Sequence, residues 1–292
     1  MEPRALHKGR DGFPRRLVSV GAAPDLLWVV GPWSGIGPAS AVALVGSRAA
    51  GARSLRQARQ LGSSLAEAGI EVVSGGALGV DAAAHEGALS VGGVTVAVLG
   101  TGVDVTYPAR HARLFQQIAG SGALVSQFPL GTTVRPGQFP TRNAVIAGLS
   151  DLVIVVAASL DSGSLHTARA AKRLGRRVVA ITGTPGTDAL VSSGAAVGFA
   201  EAPSVADLLA VLDGRMADLP AISEADDPEA RRLFDALDRT PRDLGELAER
   251  AGLGITTCAA AVVDLELRGL VARSSGGRYQ RLHPTDRDRD RL

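Results

Sequence analysis

From residue 41 the chain alternates short, wholly apolar runs with stretches of helical character. That rhythm limits the fold more than any other feature of the sequence. AVALVG (41–46), IEVVSGG (70–76), VTVAVLG (94–100), ALVSQF (123–128), LVIVVAA (152–158) and RRVVAITG (176–183) read as strands. Helical stretches are predicted between them, at about 54–68, 79–92, 110–119, 142–149 and 163–174. Strands that are apolar on both sides belong in a parallel sheet covered on both faces. The predicted fold class is therefore α/β: an extended Rossmann-like parallel sheet with helices on both faces, spanning residues 41–214. Hydrophobic residues make up 46% of the chain but aromatic residues only 3%, so the core has to be built from closely packed Val, Leu, Ala and Gly.

The flanks differ in character. Residues 1–40 are rich in Pro and Gly and are predicted as an irregular lead-in with one short strand at Leu27–Val30. Residues 215–228 form a polar, Pro-containing linker pattern. Three short helical patterns follow, EARRLFDALD, LGELAERAG and ITTCAAAVVDLELRG, and then LVARSSGGRYQRL reads as two strands about a Gly-Gly turn. Helix-helix-helix-hairpin over 229–283 is the outline of a small C-terminal winged-helix domain. The charge-alternating stretch 284–292 is predicted to be a disordered tail.

Charge is divided along the chain. Residues 41–200 hold 13 basic and 8 acidic side chains, whereas residues 201–292 hold 13 and 18. A polyanion should therefore prefer the middle of the chain. Nearly all the cations are Arg, which suits bidentate phosphate contacts and base stacking, though a GC-rich genome would give the same bias. The single cysteine, Cys258, excludes an internal disulfide and any cysteine-rich metal site. No apolar run reaches membrane-spanning length, and MEPRALHKGR lacks the apolar stretch of a signal peptide, so a cytoplasmic protein without membrane contact is expected.

In a parallel sheet, ligands bind beyond the carboxyl ends of the strands, and the loops at that edge carry the candidate residues. Gly46, Ser47 and Arg48 follow the first strand, offering a tight turn, a hydroxyl and a guanidinium fork; neither the dinucleotide glycine fingerprint nor a P-loop is present. In SGGALGVD, Gly75 and Gly76 should leave backbone N–H groups open beside a helix start. Asp81 and His85 lie one turn apart on that helix. A bracing role, with Asp81 as a cap, competes there with acid–base chemistry, and two ligands alone do not make a metal site. Phe139, Arg142 and Asn143 close a long Gly/Pro loop and pair an aromatic ring with a cation, as single-stranded nucleic acid binding requires; Phe139 could equally be an apolar anchor for the loop. Ser162, Gly163 and Ser164 form a further small-residue turn at a helix start, a plausible anion nest.

Taken in this order, the segments FPRRL (13–17), VGSR (45–48), SGGALGVDAAAHEGAL (74–89), YP (107–108), FPTRN (139–143), AGLSD (147–151), SGSLHTA (162–168) and LVSSGA (190–195) resemble the DprA/Smf family of DNA-processing proteins. The resemblance extends into GELAERAGL and GRYQR of the C-terminal region. It implies a dimer that binds single-stranded DNA in a basic pocket, hands it to the RecA recombinase in natural transformation or recombination, and needs no cofactor and performs no catalysis. Carried over residue by residue, Arg48 grips phosphate, and Phe139, Arg142, Asn143 and Ser162–Ser164 complete the pocket. Several positions depart from the family pattern: Ala144 stands where a basic residue is usual, Gln127 where Glu is, His111 and Asp188 where Asn is, and an N-terminal helical domain common in the family is missing. The predicted recognition helix, 255–268, holds Arg268 as its one cation against Asp264 and Glu266, so duplex reading by the winged helix is not expected and a protein or intramolecular contact is preferred. The alternatives are a nucleotide-derived small-molecule binder or phosphoribohydrolase on a related fold, and a purely structural interaction protein. The segment TPGTDAL lacks the PGG-x-GT-x-x-E motif and the Glu that hydrolysis would need.

Overall fold

The computed structural model describes residues 1–19, 21, 23–35, 40–214, 228–238, 240–267, 270–274 and 277–281. Contacts divide the chain into two units, Met1–Leu212 and Asp213–Leu292. The linker expected at 215–228 lies outside the described residues except for Pro228, and so does the tail 284–292.

The first unit runs β1 (Arg4–His7), α1 (Arg15–Ser19), β2 (Leu26–Val30), β3 (Ala41–Gly46), α2 (Ala52–Glu67), β4 (Glu71–Ser74), α3 (Val80–Ser90), β5 (Thr95–Val98), α4 (Ala112–Ser121) and β6 (Ala123–Ser126). It continues through α5 (Gln138–Leu149), β7 (Leu152–Ala157), α6 (Ser164–Arg173), β8 (Arg177–Ile181), α7 (Pro185–Ser192), β9 (Val197–Phe199) and α8 (Val205–Leu212). The strands form one sheet in the order β1-β2-β6-β5-β4-β3-β7-β8-β9. Strands β3 to β9 are mutually parallel, and only the β1–β2 and β2–β6 pairings are antiparallel. Alternate strand residues supply the two faces: Ala43, Val45, Val96, Val98, Val153 and Val155 pack beneath α1, α5 and α6, while Ala97 and Leu124 pack against Leu114, Phe115 and Ile118 of α4.

The strand predicted at Leu27–Val30 is present as β2, but the rest of the lead-in, predicted as irregular, also contributes β1 and α1 to this unit. Strands β1 and β2 pair in register from Arg4↔Val29 to His7↔Leu26, and β2 continues onto β6 through Val29↔Val125. Leu6, Leu17, Leu27 and Val29 enter the main core. Glycines and prolines around β1 and α1 disguised those two elements, whereas β2 alternates buried and half-buried residues as a strand near a sheet edge should. Asp151, opening β7, fastens this region: its Oδ2 accepts Arg16 Nε at 3.0 Å and the Ala41 N–H at 2.9 Å, and its Oδ1 lies 3.8 Å from Arg176. Helix α7 and strand β9 were also not predicted. Pro185 at the first helical position ends the preceding strand pattern, and the Thr184 and Thr187 side chains form a capping box around it.

The order of strands reverses at β3: the chain winds outward from β3 through β4 and β5 to β6, then returns over the sheet by α5 to place β7 on the other side of β3. The loops on either side of that reversal open at the carboxyl edge.

The second unit contains α9 (Pro228–Ala236), α10 (Leu244–Ala251), α11 (Ile255–Leu267) and the antiparallel pair β10 (Val271–Ser274) and β11 (Arg278–Arg281). Leu233, Leu247, Cys258, Val262 and Leu265 make its core. Asp243 and Glu246 form a capping box at the start of α10, and Gly252 ends it at φ 63°. Arg242 and Tyr279 exchange backbone hydrogen bonds of 2.9 and 2.7 Å, so a third short segment joins the hairpin.

Candidate functional site

At the carboxyl edge, Arg48, Gly75, Ala77, Leu78, Gly100, Thr101, Tyr107, Pro108, Phe139 and Arg142 surround one hollow. Its volume is about 40 Å3, room for about three water molecules. The loops after β3, β4 and β5 meet the first turn of α5 there, so the structure brings three of the four predicted loops together. The Ser162–Ser164 turn does not line the hollow. It is joined to it by Asn143, whose Nδ2 donates to the Gly163 carbonyl at 3.3 Å, and its own Ser162 and Ser164 hydroxyls lie 2.8 Å apart.

Phe139 is the centre of the arrangement. Its half-buried ring rests on Gly100, where an added Cβ would come within 3.0 Å of it. The Arg48 guanidinium lies 5.3 Å from the ring centroid and that of Arg142 lies 5.7 Å away, both within cation–π range. The Tyr107 ring is 6.0 Å away at 50° and is 43% exposed. Tyr107 was quoted only as part of a motif in the sequence. It is one of two tyrosines in the chain, and that scarcity was the signal available for it.

The two arginines have different situations. Arg48 is exposed and reaches the ring from outside. Arg142 is buried: it donates to the Gly75 carbonyl at 2.6 Å, to the Val98 carbonyl, and through Nε to Asn143 Oδ1 at 3.2 Å. Arg142, expected beside Phe139 as part of the nucleic-acid-binding pocket, thus spends most of its donors on the protein. Burial lowers its pKa to about 10, against the pull of Asp81, and it keeps its charge at neutral pH. The depth of Arg142 has a structural origin. The helix was predicted from 142, but α5 begins at Gln138 after Gly137 at φ 85°, with Pro140 tolerated in its first turn, so Arg142 sits a turn inside.

The glycine loop is also occupied from within. Asp81 Oδ2 accepts the N–H groups of Gly75 at 3.1 Å and Ala77 at 3.3 Å, so a carboxylate already fills the place at this helix start that was expected to be open to an anion. Burial pushes the Asp81 carboxyl above its ordinary range, while Arg142 and the two N–H donors pull it down. Gly75 lines the hollow, and a Cβ there would strike Asp81 and Arg142. Gly76, predicted to face ligand, does not line the hollow: it is buried at φ 65°, a Cβ would meet the Phe115 ring at 2.8 Å, and its carbonyl accepts His111 Nδ1–H at 2.9 Å. His111, a departure from the family pattern, thus holds the loop. Gly46 likewise serves packing, since a Cβ would collide with Val80 and the Ala157 carbonyl; Ser47 accepts the Ala49 N–H at 3.2 Å.

His85 is hydrogen-bonded to Thr95 and not to Asp81. Its Nδ1 is 2.7 Å from Thr95 Oγ1, and that hydroxyl donates onward to the Val72 carbonyl at 2.8 Å, so Nδ1 carries the proton. Its Nε2 has no hydrogen-bond partner among the described residues. Burial drives its pKa down to about 3, leaving a neutral ring. Among the described residues no three His, Cys, Asp or Glu side chains are grouped to hold a metal ion, and no helix is long and apolar enough to cross a membrane. Two other departures also have local roles: Ala144 packs against the main core, and Asp188 accepts the Gly183 N–H at 2.8 Å.

With this geometry established, comparison with known proteins is direct. The profile of the DNA recombination-mediator protein A family matches residues 4–208, and that of the DprA winged helix domain matches residues 217–277. Protein Smf of Escherichia coli K12 is 37% identical over 285 residues, covering 92% of this chain and 75% of its own. Protein Smf of Synechocystis is 32% identical over 319 residues, covering 96% and 80%. Among solved structures, DNA processing protein A of Streptococcus pneumoniae is similar with a TM-score of 0.64 and 35% identity over 69% of this chain and 72% of that one. DNA processing protein A of Helicobacter pylori, described for its single-stranded DNA binding mode, gives a TM-score of 0.60 and 29% identity over 68% and 91%.

Proposed function

The chain belongs to the DNA recombination-mediator protein A (DprA/Smf) family, and from its site we propose that it binds single-stranded DNA at the carboxyl edge of the sheet, without catalysis. One observation carries this reading: an exposed Arg48 and an exposed Tyr107 flank the half-buried Phe139 over a single shallow hollow. A cation for the backbone beside aromatic faces for the bases is what sequence-tolerant binding of a single strand uses. The small volume suits a strand laid across the mouth better than a nucleotide enclosed within it, and this weighs against the small-molecule alternative. Nor do the chemically suggestive side chains point to turnover. Asp81 is consumed by two backbone donors, and His85 is neutral and bonded to Thr95. In this reading Gly46, Ser47, Gly75, Gly76 and Arg142 shape the cleft, Arg48, Tyr107 and Phe139 meet the strand, and Asn143 holds the Ser162–Ser164 turn beside it. Action as a homodimer and delivery of the strand to RecA complete the proposal and rest on the family resemblance.

The test is binding of fluorescent oligo-dT to the full chain. Arg48→Ala should weaken binding about tenfold and flatten the logarithmic salt dependence by about 0.7. Unchanged affinity and slope would remove Arg48 from the site. Light scattering of the pure protein and assembly of RecA filaments on coated DNA test the dimer and the handover.

A further inference from the structure

His85 and His111 lie close enough to feel each other's charge, yet they differ in what they can do. His85 is buried, neutral and bonded to Thr95. His111 is half-buried beside the cleft, at the end of the short 3-10 turn Ala109–His111. Its backbone N–H donates to the Pro108 carbonyl at 2.9 Å, and Pro108 lines the hollow. The ring stands edge-on to Phe115, with centroids 5.9 Å apart at 73°, and its Nδ1–H donates to the Gly76 carbonyl at 2.9 Å. His111 thus grips the middle residue of Gly75–Ala77, whose two outer residues both line the hollow. The other side chains that anchor this segment are buried: Asp81 accepts from the Gly75 and Ala77 N–H groups, and Arg142 donates to the Gly75 carbonyl. The Nε2 of His111 has no hydrogen-bond partner among the described residues and, unlike that of His85, is open to solvent. It can therefore take up a proton while Nδ1–H keeps its bond to Gly76.

Histidine is the side chain whose charge ordinarily changes between pH 5 and 8. Around His111, Arg110 and Arg113 of its own segment and Arg142 of α5 do not titrate in that range. Asp104 of the preceding loop accepts the Gly131 N–H at 2.9 Å, and His85 of α3 stays neutral down to about pH 3. Asp81 of α3, whose carboxyl burial pushes upward, would act in the opposite sense: its protonation weakens its hold on Gly75 and Ala77 and loosens the loop. We propose that His111 is a proton-linked positioning residue, so that a single strand at the cleft is held more tightly when the His111 ring is charged. The imidazolium adds a positive charge beside the cleft, and it turns the bond to Gly76 into a stronger, charge-assisted one. This rests on the cleft being a single-stranded DNA site and adds a regulation of that site by pH.

The experiment measures the affinity of the full chain for oligo-dT from pH 8 to pH 5.5; neither thymine nor the phosphodiester titrates in that span. At about 0.1 M salt the wild type should bind about threefold more tightly at pH 5.5 than at pH 8, and the gain should shrink at about 0.3 M, where charges are better screened. His111→Asn, which can still donate to Gly76 but cannot be charged, should match the wild type at pH 8 and keep that affinity throughout. By linkage, oligo-dT must raise the pH at which the wild-type ring gains its proton; 1H NMR of the His111 ring reads this without any variant. A wild-type affinity that is flat with pH overturns the proposal, as does a gain that His111→Asn retains or that salt leaves undiminished. Weaker binding on acidification also overturns it and would give control to Asp81. An NMR midpoint unmoved by DNA does the same. Failure of the wild type to bind oligo-dT at any pH would instead refute the underlying reading of the cleft.

Discussion

The loop after β3 and the first turns of α5 both bring an arginine to the same phenylalanine ring, yet the two arginines do different work. Arg48 arrives from solvent, and no hydrogen bond of its side chain to the protein is seen among the described residues. Arg142 arrives from inside, as the pin that holds the Gly75 and Val98 carbonyls and faces Asp81. Residue type and motif position made them look equivalent; burial separates them. A cation in a binding site can be there for the ligand or for the loop that meets the ligand, and only the destination of its hydrogen bonds distinguishes the two.

The largest expected effect falls on the inner arginine. Arg142→Ala leaves the buried Asp81 carboxylate and two carbonyls without their partner, and should lower unfolding free energy by about 3–5 kcal/mol in urea titration. A loss below about 1 kcal/mol would make Arg142 as dispensable to the fold as Arg48 and erase the contrast. Next comes pH. His85 is held neutral, with its folded pKa near 3 against about 6.5 when unfolded. Its contribution is therefore complete above pH 6.5 and is lost progressively as pH falls toward 3, because the unfolded chain takes up the proton first. At pH 5 this amounts to about 2 kcal/mol. His85→Asn, which can still donate to Thr95, should flatten that part of the stability profile; an unchanged slope would show that His85 is not the group responsible. A smaller effect is expected at Tyr107, where Tyr107→Ala should cost about 1 kcal/mol of binding to oligo-dT but nothing to an abasic strand of equal length, and Tyr107→Phe should bind like the wild type. Equal losses on both strands would assign Tyr107 to backbone contact instead of stacking. Smallest of all, Arg48→Ala should move the unfolding free energy by less than about 0.5 kcal/mol while weakening DNA binding.

Much of this was legible in the sequence, for definite reasons. Strands β3 to β8 are apolar on both faces, and nothing but a covered parallel sheet suits such runs, so the edge that carries the loops followed. The loops themselves were found through small residues and arginines placed after strands. What could not be read was direction. Gly75 and Gly76 are adjacent and chemically identical, but one borders the hollow and the other backs onto Phe115. Asp81 was weighed as a brace, and it is one, but through the loop's N–H groups; that His85 would turn away to Thr95 depended on β5 arriving beneath it from a later part of the chain. Tyr107 was passed over because its partner, Phe139, lies 32 residues on. At the N-terminus the strand within LLWVV was read, but its partner β1 was not, because Arg4–His7 is only four residues long and the glycines and prolines around it read as irregular chain.

That hairpin has a practical consequence for anyone trimming the chain. A version begun at residue 41, where the obvious rhythm starts, would strip the outer neighbour from β6, leaving its ladder of N–H and C=O groups bare, and would take Arg16 from Asp151. Uncovered strand margins invite other chains to pair with them. Clumping of such a truncated protein would therefore reflect a removed guard strip, and its failure in a binding assay would carry no information about the cleft on the far side of β5.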